Sequence, residues 1–274
     1  MTIDIIAAEL LAAQANAVVI TPPAQSNPAF DLENGYAVGA AVAAARRARG
    51  ERTIGRKIGF TNAAIWEQYG VGGPLWAHIY DTTVIHAGGE DVTYTPSGLT
   101  APQIEPELVL GLAAAPSPTA LNATALLDCV AWVALGFEIV DCHFADWRFT
   151  LADAVADFGL HAALIVGPQL PISSFAPAGI LDALARCSLT LRCDGQLIAT
   201  GMGANALGSP LMALGHLVRT LTLQEAEPLA AGEIVTTGTL TPAFPLIAGQ
   251  TWTATLKGLG EDVRSLHLRV DVRS

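Results

Sequence analysis

Apolar residues recur at helical spacing through the first fifty positions. Ile5, Ile6, Leu10 and Leu11 share one face of a segment predicted to be helical over 3–19, which Thr21-Pro22-Pro23 ends. A second helix is predicted over 32–49, stopping at Gly50, with Arg46, Arg47 and Arg49 as its solvated C-terminal end. From Thr53 the texture changes to short apolar runs broken by glycine and proline, the mark of strands and turns. The apolar run 131–140 reads as a strand carrying Glu138, with a helical start near Thr124. Residues 151–157 and 180–184 read as short helices, and 162–166 as a strand. Residues 189–193 and 196–200 form a predicted hairpin about Asp194-Gly195. Pro210 opens a helix over 210–223, and strands are expected at 233–237, 251–256 and 266–272. Helices, then strands with helical inserts, then strands again predict an α+β protein rather than a regular βαβ one.

Composition narrows the function classes. The chain of 274 residues is 51% hydrophobic and 14% charged, well under the usual charged share of about 25%. Apolar surface in such excess is hidden most simply in a homo-oligomer. A net charge of −11 argues against nucleic acid, whose phosphates need clustered Lys and Arg. Cys129, Cys142, Cys187 and Cys193 show no metal or redox spacing and read as reduced cytoplasmic thiols. The N-terminus carries Asp4 and Glu9 and no basic run, so it does not read as a signal peptide. The uncharged stretch 108–127 is broken by Pro116, Ser117, Pro118 and Asn122, so no membrane span is expected. Gly201-Met202-Gly203 imitates a dinucleotide loop but ends in Ala206 where glycine is required, and no Walker, zinc or G-x-S-x-G pattern occurs.

The candidate chemistry lies in acids. Glu105 and Glu107 are two apart in an apolar stretch, so an extended chain points both the same way. With Glu138 on another apolar run, and no Cys or His at ligand spacing, they suit a hard divalent cation. The competing reading is an edge strand facing water, which Pro106 would tolerate. Lys57 alternates against Ile58 and Phe60, and is either an inward cation meeting a carboxylate or a surface lysine. His161 stands among apolar residues and reads as a hydrogen-bonded core histidine, and His143 is a candidate partner of Asp141. Asp153 and Asp157, four apart, read as helix-surface or capping groups. Residues 238–242 form a turn rich in donors, suited to an anion or to ending a strand.

Taken together, Gly55-Arg56-Lys57-Ile58-Gly59-Phe60-Thr61, Ile104-Glu105-Pro106-Glu107, Phe137-Glu138-Ile139-Val140-Asp141, Asp153-Ala154-Val155-Ala156-Asp157 and Thr237-Gly238-Thr239-Leu240-Thr241-Pro242 resemble the hydratase/decarboxylase branch of the fumarylacetoacetate hydrolase superfamily. The resemblance implies a mixed β-sandwich or β-roll, with a helical segment at 1–52 and one compact catalytic unit at 53–274. It implies Mg²⁺ or Mn²⁺ held by Glu105, Glu107 and Glu138. Lys57, Gly238 and Thr239 would meet substrate, and Lys57, Asp81 and His161 would serve catalysis. The expected reaction is addition of water to a 2-hydroxy-2,4-dienoate, such as the 2-oxo-4-pentenoate type, giving a 4-hydroxy-2-oxo acid in catabolism of aromatic compounds. Alternatives are a 4-oxalocrotonate-type decarboxylase, a C–C hydrolase of an acylpyruvate, and a catalytically silent binding member. Glutamate at 138 and the Gly-Arg-Lys block favour hydratase or decarboxylase over hydrolase. Two blocks depart from the hydratase pattern: Phe158-Gly159-Leu160-His161 and Ile79-Tyr80-Asp81-Thr82.

Overall fold

The computed structural model describes residues 2–62, 66–69, 73–260 and 264–271. Helices α1 (Ile3–Asn16), α2 (Pro23–Ser26) and α3 (Leu32–Ala48) come first, followed by strand β1 (Thr53–Gly59) and the helical turn α4 (Trp66–Tyr69). Next come β2 (Leu75–Tyr80), β3 (Val84–His86), β4 (Asp91–Tyr94) and the long β5 (Gln103–Leu112). Helix α5 (Ala123–Leu127) precedes β6 (Val130–Val140), α6 (Leu151–Ala156), β7 (His161–Val166) and β8 (Leu170–Pro171). Helix α7 (Pro177–Arg186) precedes the hairpin β9 (Ser188–Cys193) and β10 (Gln196–Met202), then α8 (Pro210–Leu223). Strands β11 (Ile234–Thr239), β12 (Phe244–Pro245), β13 (Thr251–Lys257) and β14 (Arg264–Val270) complete the order.

A nine-stranded sheet runs β2-β1-β11-β5-β6-β7-β3, with β12 beside β5 and β8 beside β6. A five-stranded sheet runs β10-β9-β13-β14-β4. Both are mixed: β1 is parallel to β11, β3 to β7 and β14 to β4. Leu108, Leu110 and Leu135 of the large sheet share one apolar cluster with Leu191, Trp252 and Leu268 of the small one, which also takes Leu214 and Leu217 of α8. Sheet-on-sheet burial of alternating apolar residues therefore joins the two layers. A second cluster packs Leu10 of α1, Val38 and Val42 of α3 and Val155 of α6 against Phe158 and Leu160. The α+β class with N-terminal helices and mixed sheets is the one expected.

Several details differ from expectation. The first helix stops at Asn16, where Ala17 turns left-handed (φ 50). The helix placed at 180–184 extends over Pro177–Arg186. The last expected strand ends at Val270, and its residue 272 lies outside the described residues. Arg46 is not solvated: it is buried, bonds to Gln14 at 2.6 Å and Glu51 at 3.2 Å, and stacks 4.4 Å above the Tyr80 ring. A guanidinium spreads its charge over a plane, so aromatic faces accept it where an ammonium would stay hydrated.

Candidate active site

In the antiparallel β5–β6 ladder Glu105 lies directly opposite Glu138, and alternation puts Glu107 on the same face as Glu105. One oxygen from each of the three carboxylates lies within 4.8 Å of the others. Glu107 and Glu138 are fully buried, and Glu105 is half-buried. The water-facing edge strand is thus excluded, because β5 is interior, flanked by β11 and β6. Pro106 is tolerated there for a local reason. Its carbonyl accepts from Leu240 N at 3.0 Å, so its missing N–H falls on the β11 side, where the register breaks between Thr236 and Thr239.

That break also builds the site. Gly238 stands at φ 90, and a Cβ there would lie 1.9 Å from Thr61 Oγ1. Its N–H donates to Glu107 Oε2 at 2.7 Å, while Glu107 Oε1 is buried without a partner. Lys57 Nζ lies 3.1 Å from Glu138 Oε2. His161 Nδ1 lies 2.8 Å from Glu138 Oε1, and Thr83 Oγ1 sits 2.9 Å from the other ring nitrogen. Strand alternation turns the neighbouring Arg56 to the opposite face, where it meets Glu233 at 3.1 Å.

The charges do not balance within the protein. Burial, then the Glu138 and Glu105 carboxylates, push Glu107 well above the ordinary carboxylate range. Burial likewise pushes Glu105 up, against the pull of Lys57. Glu138 is the exception: Lys57 and His161 outweigh burial and hold it low. Lys57 is raised, because three carboxylates overcome its desolvation. One ammonium therefore serves three acids, and a buried carboxylate oxygen is left over. A divalent cation fits both facts, since bonds of roughly 2.0–2.6 Å span oxygens about 4–5 Å apart.

Beside the acids lies a cavity of about 30 Å³, with Lys57, Glu105 and Thr239 on its polar side and Phe60, Val140, Trp147 and Leu160 among its apolar walls. A larger cavity, about 590 Å³, lies between α3 and β2, lined by Tyr36, Trp76, His78, Tyr80 and Phe158 among others. Its walls hold neither Lys57 nor any of the three acids, so the smaller cavity is the candidate active site.

The fumarylacetoacetate (FAA) hydrolase C-terminal family model matches residues 74–265. The chain belongs to the fumarylacetoacetate hydrolase family. Within this family it is 32% identical to a 2-keto-4-pentenoate hydratase from Paraburkholderia phymatum, over 94% of this chain and 95% of that one. It is 29% identical to a 4-oxalocrotonate decarboxylase from a Pseudomonas species, over 77% of each chain. The solved 4-oxalocrotonate decarboxylase from Pseudomonas putida G7, complexed with magnesium and adipate, superposes with a TM-score of 0.86 at 24% identity. That match covers 98% of this chain and 97% of that one.

Not every expected residue of this family site converges. Lys57, Glu105, Glu107 and Glu138 do, and Thr239 lines the cavity. Gly238 donates its N–H to Glu107 and is not among the residues lining the cavity. Asp81 does not belong: it bonds to Arg52 N and Nε, both at 2.9 Å. Lys57 pairs with Ala77 in the β1–β2 register, so Asp81 is about 13 Å further along the strand. His161 lies against Glu138 through Nδ1 and against Thr83 through Nε2, a position that orients the acid, and it is not among the residues lining the cavity. Asp153 and Asp157 are buried rather than on a helix surface; Asp153 is the expected capping group, accepting from Thr150 N at 2.8 Å, whereas Asp157 binds His143. Sequence reading missed Trp147, whose approach to the cavity follows from left-handed turns at Asp146 and Trp147 (φ 56 and 54). No local signal marks that turn.

Proposed function

We propose that this chain is a Mg²⁺- or Mn²⁺-dependent hydratase that adds water to a 2-hydroxy-2,4-dienoate of the 2-oxo-4-pentenoate type, giving a 4-hydroxy-2-oxo acid in catabolism of aromatic compounds. The observation that carries the reading is the unpartnered Glu107 oxygen in a buried three-carboxylate cluster beside a buried lysine. The hydratase named above, matched over nearly its whole length, supports the choice of reaction.

Glu105, Glu107 and Glu138 would hold the cation, which when bound supplies Lewis acidity toward the C2 oxygen of a 2-oxo acid. Gly238 and His161 orient Glu107 and Glu138 through the bonds they make. Lys57, kept charged by the acids, is placed to pair with the substrate carboxylate at the polar end of the cavity. Leu160, Val140 and Phe60 give the unsaturated tail an apolar wall, and Thr239, whose hydroxyl donates to Thr241 O at 2.8 Å, lines the same cavity.

One observation favours 4-oxalocrotonate-type decarboxylation as the second reading. Among the described cavity-lining residues, Lys57 and Glu105 are the titratable groups, and loss of CO₂ needs no base to direct water. We also propose a cytoplasmic homo-oligomer. All four cysteines are free thiols, and no helix among the described residues is long and apolar enough to cross a membrane. Exposed Leu223, Ile247 and Leu197 supply apolar surface for a subunit contact.

Ultraviolet absorbance of 2-hydroxypenta-2,4-dienoate, followed with product identification, tests the reaction. Loss of absorbance with a 4-hydroxy-2-oxo product supports hydration. Release of CO₂ from a 2-oxo-enedioate, with no hydration of the dienoate, supports the second reading. Inertness toward both substrates in excess Mg²⁺ counts against both.

A further inference from the structure

A network outside the acid cluster joins the two sides of the active-site cavity. Phe158, Gly159 and Leu160 stand in succession in the left-handed region (φ 57, 60 and 63), which L side chains rarely adopt. Gly159 and Leu160 line the active-site cavity. A Cβ on Gly159 would lie 2.5 Å from the Ala77 Cβ and 3.5 Å from Lys57 Cδ, so the turn presses against the lysine stem. Two strained L residues flanking a glycine need firm ends, and Asp157 is one. Its carboxylate, fully buried, accepts from His143 N at 3.0 Å and lies 2.7 Å from His143 Nδ1. The His143 ring meets Phe158 edge-on at 6.0 Å.

The opposite side of the same imidazole faces the other wall. His143 Nε2, buried and without a hydrogen-bond partner, lies 3.8 Å from Asp141 Oδ2. Asp141 accepts from Thr100 N and Ala101 N at 2.8 and 2.7 Å, and Ala101 O accepts from Trp147 Nε1 at 3.2 Å. Trp147 lines the cavity too. We infer that His143 is a positioning residue, held between Asp157 and Asp141, that sets the spacing of the Gly159-Leu160 and Trp147 walls about the substrate tail. It touches none of the three acids and none of the cavity. The inference rests on the proposed active site and on neither choice of reaction.

The test compares His143→Leu, which keeps volume but loses the donor, with His143→Asn, whose amide can donate as Nδ1 does. Steady-state kinetics, Mg²⁺ affinity and melting temperature are measured for both and for wild type. Five- and six-carbon dienoates are compared, or the corresponding enedioates if wild type decarboxylates. In His143→Leu, kcat should fall by about 10–100-fold, with Mg²⁺ affinity kept within about threefold. The preference between the two tail lengths should shift, and His143→Asn should recover kcat to within about fivefold of wild type. Wild-type kcat in folded His143→Leu, equal losses in both variants, an unchanged tail preference, or a parallel loss of Mg²⁺ affinity would each overturn the assignment. Should His143→Leu not fold, Asp157→Asn is judged by the same kcat, tail-preference and Mg²⁺ criteria. A wild type inert toward both substrate classes defeats the proposed function itself, a result distinct from any of these.

Discussion

Glu105 and Glu138 face each other directly across the β5–β6 ladder, in a position where like charges repel and usually destabilise a sheet. Lys57 relieves Glu138 and leaves Glu105 and Glu107 pushed up, Glu105 to about 7 by burial and Glu138 against the pull of Lys57. The metal-free protein therefore keeps protons on these carboxyls near neutral pH. A cation that takes their place must expel those protons. Mg²⁺ binding is expected to release protons at pH 6 and to strengthen as pH rises through about 7. Calorimetry in buffers of different ionisation enthalpy counts them, and zero release at pH 6 would refute the charge assignment.

Lys57 carries the second prediction. If its ammonium meets the substrate carboxylate in this buried pocket, Lys57→Met loses a charge-assisted bond and leaves that anion poorly paired. A drop in kcat/KM of about two to three decades is expected, roughly 3–4 kcal/mol. Mg²⁺ affinity should not fall, because Lys57 is a neighbouring cation and not a ligand. Borohydride should trap no adduct on Lys57 with a 2-oxo acid. Normal turnover by Lys57→Met, or a trapped adduct, would each remove one half of the assignment.

Acid stability probes a different element. His78 in β2 is pushed down to about 3 by burial and by Arg56 and Arg47, whereas its ordinary value is 6.5. Between those values the unfolded chain binds a proton that the folded chain does not, so stability falls as pH drops below about 6.5. His78→Gln should lose less of its urea midpoint between pH 7 and pH 5 than wild type does. Equal losses would show that His78 does not govern that slope.

The fold class was legible because α8 keeps strict helical spacing from Pro210, and because Asp194-Gly195 dictates its own hairpin. The acids were legible for a similar reason: a spacing of two defines a shared face whatever the register, and the apolar flanks of Glu138 imply burial. What escaped depends on distant contacts. Asp81 looked like a site residue until the β1–β2 register carried it away from Lys57. His161 resembles a catalytic histidine in sequence, and only the β6–β7 pairing shows Glu138 and Thr83 occupying its two nitrogens. Arg46 reads as a helix-end charge, yet Tyr80 from β2 and Gln14 from α1 bury it. Chain-local patterns cannot reveal pairings between elements so far apart in sequence.

The metal centre is tested most directly by titrating Mg²⁺ into chelator-treated wild-type protein and into Glu107→Gln, followed by calorimetry. Glu107 Oε1 is a buried carboxylate oxygen with no hydrogen-bond partner, and Gly238 would still hold the side chain of the variant. Wild type should take up one ion per chain, and the variant should lose affinity by more than the 10–100-fold or so that orienting groups command. Wild-type protein that binds no Mg²⁺ or Mn²⁺, or a Glu107→Gln variant that binds it as tightly as wild type, would contradict the three-carboxylate metal site.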